Sequence, residues 1–228
     1  GDHKKREIHY YCLFTATITS LSYLAMATGS GVSILRKEPG GMWRYSDPRL
    51  ATQGLPGVQN PLFSKAYSER EIYPIFSPRY VDRLLCTPLL LLCLSSLLRL
   101  PPDTLKLLLF LSTCMVACLF AATLITDSSR YAFFFVSCAF YLALSGVLRG
   151  EVTRASEGAL RGTKRLFMRL RGITVTTCAL YLVAWILCEG AKAVSSDLTI
   201  ILYASIDTTA RLLFGLTLLR NAKAAAGA

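Results

Sequence analysis

Catalytic and metal-binding motifs are missing from this sequence. It has only two histidines, His3 and His9, and both precede the first apolar segment or lie at its start. No zinc-ligand spacing, P-loop, GxGxxG motif or nucleophile elbow occurs, and the histidines and thiols form no nucleophile–base pair. The two histidines are therefore expected in a solvated position, and we expect neither an enzyme nor a metal site.

Charged residues, and acidic ones above all, are scarce. They make up 17% of the 228 residues, with 14 Asp and Glu against 25 Lys and Arg, whereas 53% are hydrophobic and the mean hydropathy is +0.45. This balance is typical of a polytopic membrane protein. The net charge of +11 could indicate nucleic-acid binding. However, the basic residues lie mostly between apolar runs, which is the distribution found in the cytoplasmic loops of membrane proteins. No nucleic-acid partner is expected.

A disulfide framework is also not indicated. Eight cysteines are present, and all fall in or at the edge of apolar segments rather than in loops: Cys12, Cys86, Cys93, Cys114, Cys118, Cys138, Cys178 and Cys188. In such positions cysteine behaves as a small buried hydrophobic residue.

Six apolar segments are long enough to cross a bilayer. They cover about residues 8–29, 79–100, 104–125, 130–148, 166–188 and 195–219. Pro101 and Pro102 separate the second from the third, and Glu189 with Gly190 ends the fifth. The sequence thus predicts an all-α integral membrane protein, with one domain over residues 1–228 in contact with the lipid bilayer.

The basic connection between the fourth and fifth segments sets the predicted orientation. It holds seven basic residues against Glu151 and Glu157: Arg149, Arg154, Arg161, Lys164, Arg165, Arg169 and Arg171. The positive-inside rule places it on the cytoplasm-equivalent side, and alternation places both termini there. No signal-peptide pattern precedes the first segment, so either a leader has been removed or the sequence begins partway into the protein.

A long connection, residues 30–77, separates the first two segments. It carries five prolines and five glycines, and also aromatic residues, among them Trp43, Tyr45, Phe63, Tyr67 and Tyr73. Loops of this length are usually functional or disordered, and the aromatic residues argue against simple disorder. We expect a cap over the bundle or a contact surface for a partner; a flexible insertion is the alternative.

The last segment contains two charges that cannot easily reach water. Asp207 and Arg211 are four residues apart and so share one helical face near the middle of an apolar run. A charged side chain at the membrane centre costs on the order of 3 kcal/mol, so such residues are usually paired and mark a site. The alternative is an internal ion pair that only fixes the orientation of the helix.

The second segment begins with three further charges, Arg79, Asp82 and Arg83, followed by Pro88 within the run Cys86-Thr87-Pro88-Leu89-Leu90-Leu91-Leu92. The pattern Arg-Tyr-x-Asp-x-Leu-x-x-Thr-Pro-Leu-Leu-Leu-Leu resembles the third helix of the microbial (type 1) rhodopsins. Asp-x-x-Ala-x-x-x-Phe-Gly in the last segment resembles their seventh helix. The first and fifth segments resemble their second and sixth, so the resemblance covers nearly the whole chain outside the long connection.

The resemblance implies a rhodopsin-like bundle of six spans, equivalent to helices 2–7 of the family. The first family helix, which packs against the second and seventh, has no counterpart in the sequence. Arg79, Asp82 and Asp207 stand in the places of the family's arginine and two-carboxylate counterion. Further pocket positions are implied by the same comparison: Tyr23, Tyr80, Arg83, Cys86, Thr87, Cys178, Tyr181 and Trp185.

The departures from the family concern its chromophore. Arg211 stands where the family has the lysine that forms the retinal Schiff base, and a guanidinium is always protonated and a poor nucleophile. Arg83 and Cys178 replace two tryptophans that sandwich retinal, and Cys93 replaces a carboxylate that reprotonates the Schiff base in many proton pumps. Covalent retinal is therefore not expected.

Two functions follow from these departures, and a third is the default of the family. The first is a retinal-free structural or accessory subunit of a larger membrane complex, organellar or photosynthetic, whose other subunits cover the faces left by the missing helix and contact residues 30–77. The second is a sensor that binds a carotenoid, a free retinoid or an anion without a covalent bond. The third is a light-driven ion transporter. A carotenoid, chlorophyll or lipid held at the surface would be compatible with the first.

Overall fold

Six helices and a small sheet form the part of the chain that the computed structural model describes, which is residues 2–37, 43–46, 72–98, 100–155 and 161–220. The helices are α1 (Asp2–Ala27), α2 (Ser77–Leu98), α3 (Pro102–Leu124), α4 (Arg130–Ala155), α5 (Arg161–Trp185) and α6 (Ser196–Arg220). A π-helical turn, Ile186–Gly190, continues α5. The predicted rhodopsin-like helical bundle is confirmed.

Five of the six helices are long and apolar enough to cross a membrane, judged on the described residues. These are α2 to α6, and α5 with its π turn gives a span of 30 residues, Arg161–Gly190. The first helix, α1, has 26 residues but falls short of the others in apolar character. Hydroxyls explain part of this difference, since Thr15, Thr17, Thr19 and Ser20 follow one another closely in its middle.

Several helices extend beyond the predicted segments. α4 continues to Ala155 rather than residue 148, and α5 begins at Arg161 rather than residue 166. Apolar composition marks only the part of a helix that crosses the membrane, whereas arginine and glutamate have high helix propensity and extend it into water. The start of α3 follows the prediction closely, because Pro102 at its first position has a backbone angle that suits a helix N-terminus.

The long connection also contains a small sheet, which the sequence did not predict. Three antiparallel strands, β1 (Val32–Lys37), β2 (Trp43–Ser46) and β3 (Ile72–Phe76), form a sheet in the order β2-β1-β3. Ile34 pairs with Ser46 on one side and with Pro74 on the other. Phe63 and Tyr67, two of the aromatic residues that prompted the cap prediction, lie outside the described residues.

The sheet is joined to the helices by two features. Gly31 connects α1 to β1 with φ +70°, and a Cβ there would meet the Pro78 ring at 3.0 Å, so glycine is required on both counts. The Tyr45 hydroxyl donates a hydrogen bond of 2.6 Å to the carbonyl of Leu124, the last residue of α3. Partial burial raises the pKa of Tyr45, which keeps this hydroxyl protonated as a donor.

The apolar core lies between α2, α3, α4 and α5. Leu91, Leu108, Leu144 and Phe167 are among its most buried members. Large apolar residues also face outward, for example Phe135 at 68% exposure and Leu142 at 67%, as expected where lipid replaces water. The buried charged residues of the spans lie in a second region, between α1, α2, α5 and α6.

Candidate functional site

Arg211 lies at the centre of a buried ion cluster, here called the Arg211 cluster. Its guanidinium donates to the Asp82 carboxylate of α2 and lies 3.8 Å from Asp207 on its own helix. Asp82 is 2% exposed and Asp207 is 5% exposed, whereas the Arg211 side chain is 18% exposed. One cation therefore bridges two carboxylates, and the predicted pairing of Asp207 with Arg211 is extended to a second helix.

Each carboxylate of the Arg211 cluster also accepts hydrogen bonds from neutral groups. Asp82 accepts from Thr19 Oγ1 at 3.2 Å and from Cys86 Sγ at 3.2 Å. Asp207 accepts from Tyr23 Oη at 3.0 Å and from Tyr181. Four helices thus contribute to one polar network, and every carboxylate within it is supplied with donors, as burial of a charge requires.

Arg79 does not join this cluster. Its Nη1 lies 3.5 Å from Oε1 of Glu189, in the π turn after α5, and its guanidinium lies 4.0 Å from the centre of the Tyr203 ring. The side chains of Arg79 and Glu189 are 5% and 6% exposed. The three residues that the sequence predicted as one counterion group are therefore divided between two clusters.

Glu189 organises the second cluster, here called the Glu189 cluster. Its Oε2 accepts hydrogen bonds from Tyr80, from Thr123 at 3.4 Å and from Tyr203 at 3.4 Å. Trp185 Nε1 donates to Thr123 at 2.8 Å, and its ring stacks on Phe134 with centroids 4.8 Å apart. Tyr80 and Trp185, both predicted as pocket residues, thus belong to this cluster.

Sequence reasoning missed Glu189 because it was interpreted as the residue that ends the fifth span. It follows Trp185 by four residues, which continues the inward face of α5, and this spacing was the available signal. The π turn then changes the register by about one residue, which a helical projection does not anticipate.

Arg130 holds the π turn at its end. Its Nη2 donates to the Gly190 carbonyl at 2.7 Å and its Nη1 to the Glu189 carbonyl at 3.4 Å. Carbonyls at a helix C-terminus have no intrahelical partner, and a cation is favourable beside them. Arg130 therefore fixes the backbone that presents Glu189.

Replacing Arg130 with glutamine is expected to loosen this turn. The amides of Ala191 and Ala193 donate to Ile186 and Leu187 carbonyls at 2.7 and 3.0 Å, and these bonds should open more often in Arg130→Gln. Hydrogen exchange at both amides should accelerate, with little change in α3. The exposed Arg161→Gln is the control, and an equal effect of both substitutions would contradict this role for Arg130.

Arg83 lies apart from both carboxylate clusters. It is 7% exposed, and its guanidinium stands 3.0 Å from the centre of the Tyr181 ring. It also interacts with the buried thiol of Cys178. Thr87 is likewise buried on α2, one turn further along the helix. The structure thus brings together Arg83, Cys178 and Tyr181, three of the residues that the resemblance implied for the pocket.

A separate small cleft, with about 10 Å³ of space for water-sized molecules, lies between the sheet and the ends of the helices. It is lined by Leu35, Ile75, Ala122, Thr123, Ile125, Thr126, Arg130, Glu189 and Lys192. No group of three or more His, Cys, Asp or Glu side chains suited to a metal occurs among the residues described. The buried polar groups that the described residues bring together are arginine–carboxylate pairs and tyrosine hydroxyls.

Comparisons with known proteins agree with this architecture. The family profile described as "Bacteriorhodopsin-like protein" matches residues 1–225. The chain is 30% identical over 220 residues to the bacteriorhodopsin-II-like protein of Haloquadratum walsbyi, covering 93% of this chain and 76% of that protein. It is 31% identical over 137 residues to sensory rhodopsin-2 of Natronomonas pharaonis, covering 59% of this chain but only 57% of that relative.

Solved structures show the same fold. The chain superimposes on the light-driven proton pump CsR of Coccomyxa subellipsoidea with a TM-score of 0.74 and 25% identity, covering 93% of this chain and 81% of that one. The profile match over residues 1–225 and the identity to the Haloquadratum protein are sufficient to assign the family. This chain is a multi-pass integral membrane protein that belongs to the bacteriorhodopsin-like family.

Proposed function

We propose that this chain is a retinal-free member of its family that serves as a structural or accessory subunit of a larger membrane complex. The observation that carries the proposal is the bond from Arg211 to Asp82. In the family a protonated Schiff base faces the two carboxylates; here a permanent cation does so. A site whose cation never loses its proton cannot release and regain one in a pumping cycle.

The residues around Arg211 do not fit a covalently attached retinal. An imine forms from a primary amine, and α6 contains no lysine. Lys106 lies in the first turn of α3 with 76% of its side chain exposed, and Lys164 lies in the first turn of α5. Neither position approaches the carboxylates that would stabilise a protonated Schiff base.

The wall of the former pocket also does not favour a large ligand. The Arg83 guanidinium covers the Tyr181 face, where the family has an aromatic ring against the polyene. Trp185 is fully buried and held by Thr123 and Phe134. A non-covalent carotenoid or retinoid would have to displace these contacts, so this alternative ranks below the accessory role. A carotenoid, chlorophyll or lipid at the outer surface would displace nothing.

The exposed faces of α1 and α6 support a role in an assembly. Arg211 is 18% exposed, although it lies sixteenth of 25 residues in α6. Exposed hydroxyls accompany exposed leucines on these helices, among them Thr17 and Ser20 on α1 and Thr208 on α6. Contact with lipid alone would leave the Arg211 charge partly facing hydrocarbon, which is costly. The hydroxyls add less to this cost, because Thr17 and Ser20 donate to carbonyls of their own helix. A neighbouring transmembrane helix would cover this face, and on this proposal it belongs to another subunit.

The sheet offers a second contact surface on the same proposal, together with the rest of residues 30–77. We also propose that both termini and the basic connection around Arg161 face the cytoplasm-equivalent side, since α4 and α5 extend into it with several arginines. An organellar membrane is the proposed location.

The accessory role is tested on the native protein. After gentle solubilisation, the chain should migrate in a complex much larger than 25.1 kDa plus its detergent, together with other membrane proteins in fixed proportion. Crosslinkers placed on Leu13 or Leu212, both exposed, should capture the same neighbour, whereas one on Leu142 of α4 should not. Recovery of a monomer, with no specific crosslink from any of the three sites, would contradict the proposal.

The retinal-free character is tested by rebuilding the amine. Arg211→Lys alone, mixed with all-trans retinal, should give little visible absorption, because Arg83 and Cys178 still stand in place of the two tryptophans that sandwich retinal in the family. Combining Arg211→Lys with Arg83→Trp and Cys178→Trp should increase pigment formation many-fold. Borohydride reduction followed by mass spectrometry identifies any attached residue. Retinal trapped on the unmodified chain, or a strongly coloured single variant, would refute this account of the pocket.

A further inference from the structure

Arg83 is a buried cation without a carboxylate of its own. It is 7% exposed, and its Nη1 is enclosed by protein with no hydrogen-bond acceptor. Among residues 2–37, 43–46, 72–98, 100–155 and 161–220, no carboxylate oxygen is recorded within 4.0 Å of its guanidinium. Buried charges are normally paired and hydrogen-bonded, so this arrangement is incomplete as it stands.

The neighbouring carboxylates are already engaged elsewhere. Asp82 and Asp207 share Arg211, and Glu189 is paired with Arg79. Tyr181 stands between Arg83 and Asp207: its ring faces the guanidinium, and its hydroxyl donates to the carboxylate. The ring supplies a cation–π contact, which is weaker than a direct ion pair and leaves the Nη1 donor unused.

The surroundings restrict what can supply the missing partner. Cys178 and Tyr181 are buried beside Arg83, and the Tyr181 ring lies against its guanidinium. A second enclosed donor without an acceptor, Nη1 of Arg211, belongs to the adjoining cluster. Two unused guanidinium donors in one polar interior favour a compact anion rather than a cation or an apolar molecule.

We propose that Arg83 binds a small inorganic monovalent anion, of which chloride is the representative, in the interior of the bundle beside Tyr181 and Cys178. The anion accepts a hydrogen bond from Arg83 Nη1, the enclosed donor that has no acceptor. The site does not depend on the accessory role, because all the residues that form it belong to this chain.

Thermal unfolding of the purified chain tests the site. Sodium chloride should raise the unfolding temperature by several degrees in a saturable manner relative to sodium gluconate at equal ionic strength, because a ligand that binds only the folded state stabilises it. Arg83→Gln should abolish the chloride-specific shift, whereas the exposed Arg165→Gln should retain it. No chloride-specific shift in the unmodified chain, or an equal shift in Arg83→Gln, would overturn the proposal.

A second measurement covers the case in which Arg83→Gln does not fold. Crystals of the unmodified chain grown in sodium bromide should show an anomalous peak at hydrogen-bonding distance from Arg83 Nη1. Ordered density there without an anomalous signal would identify a water molecule and overturn the proposal, as would a bromide peak found only at exposed arginines.

Discussion

Substitution of Arg211 by glutamine is expected to be the most damaging single change in the spans. It leaves Asp82 and Asp207, both at most 5% exposed, without the cation that they share. Removing one partner of a buried ion pair typically costs about 3–5 kcal/mol, because the remaining charge stays desolvated. We expect a loss of this order in the free energy of unfolding, measured by denaturant titration in mixed micelles.

Two variants separate the charge from the shape of Arg211. Arg211→Lys keeps the cation and should lose much less stability, although one ammonium cannot match the guanidinium geometry toward two carboxylates. The double variant Arg211→Gln with Asp82→Asn should recover part of the loss, since fewer charges are left unpaired. Arg220→Gln, at the exposed end of the same helix, is the control. Equal stability of Arg211→Gln and Arg220→Gln would contradict the shared-cation interpretation.

Substitution of Glu189 by glutamine should have the next largest effect. The amide keeps the size of the side chain and can still accept from Tyr80, Thr123 or Tyr203, but it no longer neutralises Arg79. Arg79 would remain a buried cation beside the Tyr203 ring, which compensates only in part. We expect a loss of about 3 kcal/mol in the free energy of unfolding.

The control for Glu189→Gln is a substitution of Asp103. The Asp103 carboxylate lies 3.3 Å from Lys106, and both side chains are mostly exposed. Asp103→Asn should change stability very little, since exposed ion pairs contribute little. Combining Glu189→Gln with Arg79→Gln should cost less than the sum of the two single changes. If Glu189→Gln and Asp103→Asn gave the same unfolding curve, the Arg79–Glu189 ion pair would contribute nothing to stability, which would contradict this prediction.

The helical bundle was predictable because the membrane imposes a simple rule on sequence. A span of about 20 apolar residues must satisfy its own backbone, so composition alone locates α2 to α6. The same composition cannot locate helix ends in water, which is why α4 and α5 extend further than predicted. Composition also does not reveal short strands. The sheet of β1, β2 and β3 could not be predicted in this way, because it depends on pairing between residues far apart in sequence.

The candidate site was predictable in part. The pairing of Asp207 with Arg211 follows from i, i+4 spacing on one helix, and the family resemblance placed Asp82 opposite them. The same resemblance grouped Arg79 with these aspartates, whereas in the structure Arg79 pairs with Glu189. The partner of Arg79 lies 110 residues away in sequence, in a π turn, and no local spacing indicates it.

The sequence by itself determined that this is a membrane-spanning helical protein of the bacteriorhodopsin-like family, because that depends on which residues are present. Only the tertiary structure decided which charges meet. A guanidinium on a helix can reach carboxylates on either side of it, and the rotation of α2 against α5 and α6 selects Glu189 for Arg79, Asp82 for Arg211 and the Tyr181 ring for Arg83.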